Sequence, residues 1–371
     1  MNPALAKIIP LRNISKGGVN LRLKRLYARL KQEALDGLVV SSAANISYLA
    51  EFRSRDSYSL ISQKENIYFT DSRYILEAGR FLKKSFTPKK TDGSVFKIIA
   101  RSCLELGLKR IGFEERILPY AEYKEIKRHL GRRAQLFPVH GFIEDLRQLK
   151  EPREVKMIKE AVRITVAAFR YIEKRIVPGK REIEIAAELE HYMRYHGAAG
   201  SAFEIIVASG ANSAFPHHAS AQKKLVKGEA VLVDIGVDYQ GYKSDLTRVF
   251  FLGKINLLAR KIYDIVLCAQ QAAIAVIRPG CPISKIDRAA RGYITQKGSG
   301  PNFSHNLGHG VGLEVHEAPQ ICAKESNNLK PGMVFTVEPA IYLPGAFGIR
   351  IEDMVIVTDK GCEVLSGALN K

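Results

Sequence analysis

The chain has 371 residues, enough for two domains of ordinary size, and its 46% hydrophobic and 26% charged residues are typical of globular proteins. This composition excludes a disordered or fibrous chain, and no apolar run approaches the ~18–20 residues that a membrane-spanning helix needs. The net charge of +19 would suit nucleic-acid binding. However, the basic residues follow helical patterns such as 21–30, so we expect solvated helix faces and neither a nucleic-acid nor a membrane partner.

The cysteines indicate the compartment. They are widely scattered and form no C-x-x-C pair: Cys103, Cys268, Cys281, Cys322 and Cys362. Such a distribution argues against a disulfide framework and against a thiolate zinc site. Residues 1–19 form a loose N-terminus without the continuous apolar segment of a signal peptide. We therefore expect a protein of the reducing cytoplasm.

The first part of the chain alternates predicted helices and strands. Helices are predicted at 20–36, 72–84 and 95–106, and strands at 37–40, 67–71 and 110–113. Strands that alternate with helices indicate an α/β layer domain, which we place at residues 20–147. A long helix at 153–177, with Pro152 suited to its first turn, opens a second domain at 148–371.

The second domain contains two halves of similar layout. Pro178-Gly179 and Pro279-Gly280 each open a helical segment. Asp234 lies six positions after Gly228, and Glu338 lies six positions after Gly332. A turn and a second carboxylate, Asp245 or Glu352, follow in each half. The matching offsets predict a pseudo-symmetric domain with two hairpins that carry one carboxylate on each strand.

The first hairpin is predicted from strands 231–236 and 243–248, joined by a turn at 238–241. Each strand carries one aspartate among apolar neighbours. A buried carboxylate is costly, and two of them repel each other unless a positive charge lies between them. A bound metal ion would supply that charge. In the alternative, one aspartate is a turn or edge residue and the other pairs with Arg248.

The segment 303–317 adds histidines to the four carboxylates. It is glycine-rich but lacks the Lys and Ser/Thr of a phosphate-binding P-loop. The glycines beside His309 would let the backbone approach a bound ion or ligand. Four carboxylates and one imidazole form a hard, oxygen-rich ligand set, suited to two divalent ions, with Mn²⁺ preferred and Co²⁺, Zn²⁺ and Fe²⁺ as alternatives.

These residues, in this order and context, resemble those of the pita-bread-fold metallopeptidases, the family of aminopeptidase P, prolidase and methionine aminopeptidase. The matching segments are V-D-I-G, S-D-L-T-R, G-H-G-V-G-L-E-V-H-E, V-E-P and R-I-E-D. Residues 45–49 and 69–74 resemble the N-terminal domain of the proline-specific branch. The resemblance implies an α/β creatinase-like N-terminal domain and an α+β pseudo-symmetric pita-bread catalytic domain.

The resemblance also implies a role for each ligand. Asp234 would bind one metal ion, His309 and Glu338 would bind the other, and Asp245 and Glu352 would bridge both. An activated water would attack the carbonyl of an Xaa-Pro bond, and Glu338 would take and return the proton as general base and acid.

Further residues match substrate-binding positions of the family. His217, His305 and His316 would contact the substrate and steady the developing charge. For His305 a packing role in the core is the alternative. Arg350 would hold a carboxylate or carbonyl of the substrate. His218 is expected to be a bystander, because adjacent residues of an extended segment point to opposite sides.

The sequence therefore predicts a two-metal exopeptidase of the cytoplasm, acting on peptides with proline at the second position. We favour an aminopeptidase, with an Xaa-Pro dipeptidase as the alternative; the resemblance implies a homodimer. Methionine aminopeptidase is disfavoured by the N-terminal domain and Arg350. The complete ligand set disfavours a creatinase-type hydrolase and a metal-free relative that binds RNA or protein.

Overall fold

A computed structural model describes residues 20–371 of the chain, so the loose N-terminus predicted for 1–19 lies outside the described residues. The chain divides into two compact units between Leu146 and Arg147. The predicted domain limits of 20–147 and 148–371 stay predictions, because compactness alone does not define a domain that folds independently.

One six-stranded sheet forms the centre of the first unit. Its strands are β1 (Gly37–Val40), β2 (Ser57–Ser62), β3 (Ile67–Thr70), β4 (Thr87–Lys90), β5 (Arg110–Glu114) and β6 (Gln135–Val139). The order across the sheet is β4-β3-β2-β1-β5-β6. Strand β2 is antiparallel to β1 and β3, whereas β1, β5 and β6 run parallel, as do β3 and β4. This sheet confirms the predicted α/β class.

The helices of the first unit are α1 (Leu21–Gln32), α2 (Ala43–Ala50), α3 (Ile75–Phe81), α4 (Val95–Glu105), α5 (Tyr120–Leu130) and the short α6 (Glu144–Arg147). Helix α3 is shorter than the predicted 72–84. Helix α2 was not predicted, because its first residues look like a polar loop. The Ser42 hydroxyl accepts a hydrogen bond from the Asn45 amide at 3.3 Å, so this polar stretch is the cap that starts the helix.

The second unit contains two pairs of helices that pack against each other: α7 (Pro152–Glu173) with α8 (Glu182–Tyr195), and α9 (Leu257–Ala275) with α10 (Ile283–Gln296). Pro152 occupies the first turn of α7, as predicted. The apolar faces of α7 and α8 belong to one hydrophobic core, and those of α9 and α10 belong to a second core. Among the helices of residues 20–371, none is both long enough and apolar enough to cross a membrane.

The strands of the second unit also form two groups. The first is β7 (Gly200–Ser201), β8 (Ile206–Ser209), β9 (Ala230–Ile235), β10 (Val237–Tyr239), β11 (Tyr242–Lys243) and β12 (Leu246–Phe251). The second is β13 (Gly308–Gly310), β14 (Glu317–Ile321), β15 (Val334–Val337), β16 (Ala340–Leu343), β17 (Phe347–Arg350), β18 (Asp353–Val357) and β19 (Cys362–Val364). Four sheets result, in the orders β11-β10-β7, β12-β9-β8, β14-β13-β15-β18-β19 and β16-β17.

Each group contains one long hairpin that is interrupted halfway. In the first, β9 pairs with β12, and the chain beyond continues as the pair β10 and β11. In the second, β15 pairs with β18, and the chain beyond continues as β16 and β17. The α+β, two-half catalytic unit expected from the sequence is therefore confirmed.

The turn of the first hairpin is shorter than predicted. Gln240 and Gly241 alone form it, with φ angles of 52° and 92°. Asp238 belongs to β10, where its carboxylate accepts hydrogen bonds from the Gly241 amide at 2.8 Å and from Lys243 Nζ at 2.7 Å. Two residues in the left-handed region match the twist of a two-residue hairpin, which explains why the strands extend further.

Candidate metal centre

The four predicted carboxylate ligands lie where the two long hairpins are interrupted. Asp234 is close to the end of β9, opposite Thr247, and Asp245 directly precedes β12. Glu338 directly follows β15, and Glu352 directly precedes β18. At these points the strand pairing changes, so these side chains need not alternate between the two faces of a sheet. Equivalent places in the two halves thus supply two carboxylates each.

His309 brings an imidazole into the same cluster. Ligand atoms of Asp245, His309 and Glu352 all lie within 4.8 Å of one another. His309 Nε2 is 3.6 Å from Asp245 Oδ2 and 3.3 Å from Glu338 Oε1. Its Nδ1 donates to the Gly310 carbonyl at 3.2 Å, which leaves Nε2 as the atom for a ligand.

The charges of the cluster are poorly compensated by the protein itself. Burial raises the pKa of Asp245 well above its usual value, and the neighbouring Glu352 and Asp234 raise it further. Burial, Glu338 and Asp234 likewise raise the pKa of Glu352. Burial also raises the pKa of Asp234, although Arg350 opposes this. These three carboxyl groups favour the protonated form unless cations are supplied. Burial also acts to raise the pKa of Glu338, but the hydrogen bond from His309 outweighs it, so the pKa of Glu338 is lowered.

Orphaned oxygen atoms show that these residues fit metal ions. Within the described residues, the buried oxygens Asp234 Oδ1 and Glu352 Oε1 have no hydrogen-bond partner. Buried polar atoms are normally satisfied, so two free carboxylate oxygens in one cluster match the requirement of hard divalent cations. The described part of the chain therefore contains a cluster able to hold metal.

Arg350 is the cation that the protein places in this cluster. Its Nη2 lies 2.5 Å from Asp234 Oδ2, and its Nε donates to Thr247 Oγ1 at 3.1 Å. Thr247 in turn donates to Glu352 Oε2 at 2.7 Å. The alternative in which Arg248 pairs with one of the two hairpin aspartates is wrong, because Arg248 Nη2 lies 2.7 Å from Asp353 Oδ1.

The glycines beside His309 have a structural reason that differs from the predicted one. A Cβ at Gly308 would lie 2.0 Å from the Thr336 carbonyl oxygen, and a Cβ at Gly310 would lie 2.3 Å from the Ala318 carbonyl oxygen. The glycines thus allow β13 to approach its neighbouring strands closely. The expectation that they let the backbone approach a bound ion or ligand stays a prediction.

His305 is linked to Arg350 through Tyr342. Arg350 Nη1 donates to the Tyr342 hydroxyl at 2.7 Å, and this hydroxyl lies 3.2 Å from His305 Nε2. His305 Nδ1 donates to the Asn306 carbonyl at 2.7 Å. Burial lowers the pKa of His305, so the ring is the neutral acceptor of the tyrosine hydrogen. The predicted substrate-binding roles of His305 and Arg350 stay predictions.

His316 lies against His309, with ring centroids 4.1 Å apart. Burial lowers the pKa of His316, and the charges of His309 and His217 lower it further. His316 therefore lies beside a predicted metal ligand, whereas the roles of His217 and His316 in catalysis stay predictions.

Glu317 anchors the segment that carries His316. The buried carboxylate of Glu317 lies 2.5 Å from Arg147 Nη2 and 2.7 Å from Lys150 Nζ. It also accepts a hydrogen bond from the Glu314 amide at 3.3 Å. Burial raises the pKa of Glu317, but Lys150 and Arg147 outweigh this and lower it below its usual value. The position of His316 thus depends on a buried ion-pair cluster.

His218, which is expected to be a bystander in the site, binds a buried carboxylate outside the ligand cluster. Its Nε2 lies 2.8 Å from Oε2 of Glu182, which is fully buried. Sequence reasoning missed Glu182, Glu317 and Tyr342 as residues around the site. Glu182 looks like an ordinary acidic residue in the first turn of α8, and no local pattern connects it with His218, 36 positions away. For Glu317, the adjacent His316 is the only signal.

Comparison with known proteins agrees with this geometry. The model of metallopeptidase family M24 matches residues 156–359, more than half of the chain. The chain belongs to metallopeptidase family M24. The creatinase/prolidase N-terminal domain model matches residues 22–149 of this M24 protein. Membership confirms the family predicted from the ligand motifs, and the protein is a metal-dependent hydrolase.

Similar proteins cover almost the whole M24 chain. The solved Xaa-Pro dipeptidase from Bacillus anthracis is 38% identical, with a TM-score of 0.91, over 95% of this chain and 98% of that one. The X-Pro aminopeptidase from Thermotoga maritima MSB8 is 35% identical, with a TM-score of 0.85, over 93% and 97%. The Xaa-Pro dipeptidase of Pyrococcus horikoshii is 34% identical over 94% of this chain and 97% of its own.

Proposed function

We propose that this M24 metallopeptidase is an Xaa-Pro dipeptidase that uses two divalent metal ions. The observation that carries the proposal is the buried cluster of four carboxylates and His309, with its uncompensated charge. The similar proteins named Xaa-Pro dipeptidase favour this activity over the aminopeptidase that we expected from the sequence. The specificity for an Xaa-Pro bond is common to both.

We assign the metal ligands as the motifs predict. Asp234 would hold one ion, His309 and Glu338 the other, and Asp245 and Glu352 both. The hard, oxygen-rich donors favour Mn²⁺, with Co²⁺, Zn²⁺ and Fe²⁺ as alternatives. When bound, the ions would polarise the scissile carbonyl and make hydroxide available near neutral pH.

The protein's own residues would carry the protons and orient the substrate. Glu338, which receives a hydrogen bond from Thr336 Oγ1 at 3.1 Å, would take the proton of the attacking water and return it to the proline nitrogen. His217 and His316 would donate hydrogen bonds to the carbonyl oxygen as negative charge develops on it. These two imidazoles and Glu338 are the proposed catalytic residues.

Arg350 and His305 would bind the proline end of the substrate. A dipeptide has a free carboxylate after proline, whereas a longer peptide has a neutral amide there. Arg350 carries a buried positive charge and is connected to His305 by hydrogen bonds through Tyr342. This charge would therefore favour the dipeptide.

Hydrolysis of a matched pair, a dipeptide Xaa-Pro and a tripeptide Xaa-Pro-Xaa with the same first residue, tests the proposal. Each is incubated with the protein and Mn²⁺, and with EDTA as control. We expect metal-dependent cleavage of the dipeptide and slow cleavage of the tripeptide. The reverse preference would overturn the dipeptidase assignment.

An Xaa-Pro aminopeptidase is the second candidate, favoured by the likeness to the X-Pro aminopeptidase from Thermotoga maritima. Fast tripeptide cleavage in the same assay would support it. If neither peptide is cleaved with any of the four metals, the non-catalytic binding protein becomes the better proposal, and RNA binding is then measured by a filter assay.

We also propose that the enzyme is a cytoplasmic homodimer. The compartment rests on five free cysteines, and the dimer rests on the family resemblance alone. Size-exclusion chromatography with light scattering should give twice the chain mass of 41.3 kDa. A mass of 41.3 kDa at micromolar concentration would contradict the dimer.

A further inference from the structure

Glu182 is a buried carboxylate outside the metal centre, and its side chain binds the loop 209–221. Oε1 accepts hydrogen bonds from the Ser209 amide at 2.7 Å, the Ser209 hydroxyl at 2.8 Å and the Asn212 amide group at 3.0 Å. Oε2 accepts from His218 Nε2 at 2.8 Å and from the Ala221 amide at 3.1 Å. One side chain thus ties the two ends and the middle of the loop to the start of α8.

The same loop carries His217, which is fixed on both sides. On one side, the carbonyl oxygen of Pro216 accepts a hydrogen bond from Arg350 Nη1 at 3.3 Å. On the other side, His218 is held as described above. The main chain at His217 is therefore fixed between a residue of the metal centre and a residue of α8.

The negative charge of Glu182 suits it to accept hydrogen bonds from the loop 209–221. Burial raises the pKa of a carboxyl group, but the hydrogen bonds from His218, Ser209 and Asn212 outweigh it, so the pKa of Glu182 is lowered. An ionised carboxylate accepts hydrogen bonds at all its lone pairs, whereas an amide of the same shape would turn an NH₂ group towards donors. Replacing Glu182 by glutamine should therefore loosen the loop 209–221, although the volume of the side chain at position 182 stays almost the same.

We propose that Glu182 is a positioning residue that acts through His218 and the loop 209–221 to hold His217 against the substrate. The inference rests on the proposed function, in which His217 donates to the developing oxyanion. If the role of Glu182 were only structural, its loss would lower stability without a specific effect on the step that His217 serves.

A double-mutant cycle separates these two roles. The variants are Glu182→Gln, His217→Ala and their combination. We expect Glu182→Gln to lower kcat on an Xaa-Pro dipeptide by about 10–100-fold, as is typical for groups that orient an active-site residue, with little change in KM. Because Glu182 acts through His217, the double variant should lose no more activity than His217→Ala alone. Additive losses would overturn the proposal.

Glu184→Gln is the matched control. Glu184 lies in the same turn of α8, but it is half-exposed, pairs with Arg181 at 2.7 Å and accepts a hydrogen bond from the Arg181 amide, which a glutamine oxygen can also accept. Its replacement should leave kcat and KM within about twofold of wild type, since exposed ion pairs contribute little. Metal content is measured for every variant, and a loss of metal in Glu182→Gln would also contradict the proposal.

Amide hydrogen exchange tests the loop without any activity. In the metal-free protein, peptides from 209–221 should exchange faster in Glu182→Gln than in wild type or Glu184→Gln. Unchanged exchange would overturn the proposal. If wild type cleaves no Xaa-Pro peptide, the proposed function fails, whereas the exchange experiment still decides whether Glu182 holds the loop.

A milder variant covers the case in which Glu182→Gln does not fold. His218→Asn removes one donor to Glu182 and leaves the buried carboxylate with its other partners. The same cycle with His217→Ala then applies. If the double variant loses no more activity than His217→Ala alone, the proposal is supported. If it loses the combined amount of the two single variants, the proposal is contradicted.

Discussion

Asp245 shows at the residue scale how metal binding and folding make opposite demands on one side chain. It is 5% exposed, and burial together with Glu352 and Asp234 raises its pKa. In the metal-free protein this carboxylate is therefore unfavourable, because it loses hydration and meets like charges. With metal ions present, the same charge becomes a ligand.

Replacement of Asp245 should separate activity from stability. We expect Asp245→Ala to lower kcat/KM by more than about 100-fold, since loss of a group that merely orients a ligand already costs about 10–100-fold. Asp245→Asn, which keeps the volume, should be as inactive. In EDTA it should melt at or above the wild-type temperature because the repulsion is relieved. Near wild-type turnover of Asp245→Ala would contradict the two-metal mechanism.

Glu317 gives a prediction about pH. Its pKa is lowered in the folded state, so its contribution to stability is complete above the ordinary glutamate pKa of about 4.3 and is lost as the pH falls through the folded-state pKa. Glu317→Gln removes the carboxylate that pairs with Lys150 and leaves Arg147 with its second ion pair, to Glu314 at 2.7 Å, which should cost about 3 kcal/mol at pH 7. Below about pH 4.3 the difference from wild type should shrink.

Urea unfolding in EDTA at several pH values measures this difference. The control is Glu363→Gln, which removes an exposed partner of Lys159 and should change stability by less than about 1 kcal/mol. A difference between wild type and Glu317→Gln that stays constant from pH 7 to pH 3 would show that the charge of Glu317 is not what stabilises the cluster.

At the scale of single elements, the approach of β13 to β15 sets the position of His309. A Cβ at Gly308 would lie 2.0 Å from a backbone oxygen, which cannot move without displacing the strand. We expect Gly308→Ala to destabilise the protein by about 1–3 kcal/mol, as overpacking does, and to weaken metal binding. Thermal melting and metal titration measure the two effects.

Gly292→Ala is the control for that prediction. Gly292 is exposed in α10, and a Cβ there meets no atom within 4 Å. Since alanine is the better helix former, this change should stabilise the protein by about 0.5–1 kcal/mol. If Gly308→Ala were as harmless as Gly292→Ala, the close approach of the two strands would not matter for the site.

The sequence predicts those parts of the site that depend on local spacing. Asp234 and Asp245 share one hairpin, so their proximity follows from the strand pattern alone. The turn was placed too early because Asp238, a residue common in turns, belongs to β10 here. Likewise, α2 was missed because its capping residues are polar. In both places side-chain bonds to the backbone, which composition does not show, decide the structure.

Contacts between distant residues were beyond sequence reasoning. Arg350 bonds Asp234 across 116 positions, and Glu182 bonds His218 across 36. Nothing in the local sequence distinguishes these buried charges from exposed ones, because only the assembled fold buries them. Thr247 illustrates the same point, because its hydroxyl donates to Glu352, 105 positions away.

At the scale of the whole molecule, metal binding should be linked to stability. The folded state assembles carboxylates from both hairpins, whereas the unfolded chain does not. Mn²⁺ at 100 times its dissociation constant should therefore stabilise the protein by about 2.7 kcal/mol for each site. Melting with Mn²⁺ and with EDTA measures the shift, which should be largely absent in Asp245→Asn. An equal shift in that variant would mean that Mn²⁺ acts elsewhere.

Titration of the metal-free enzyme with Mn²⁺ during hydrolysis of an Xaa-Pro dipeptide tests the central claim most directly. The account predicts no turnover in EDTA and activity that rises until two ions are bound per chain. Turnover that persists in EDTA, or the absence of turnover at any Mn²⁺ concentration, would contradict it.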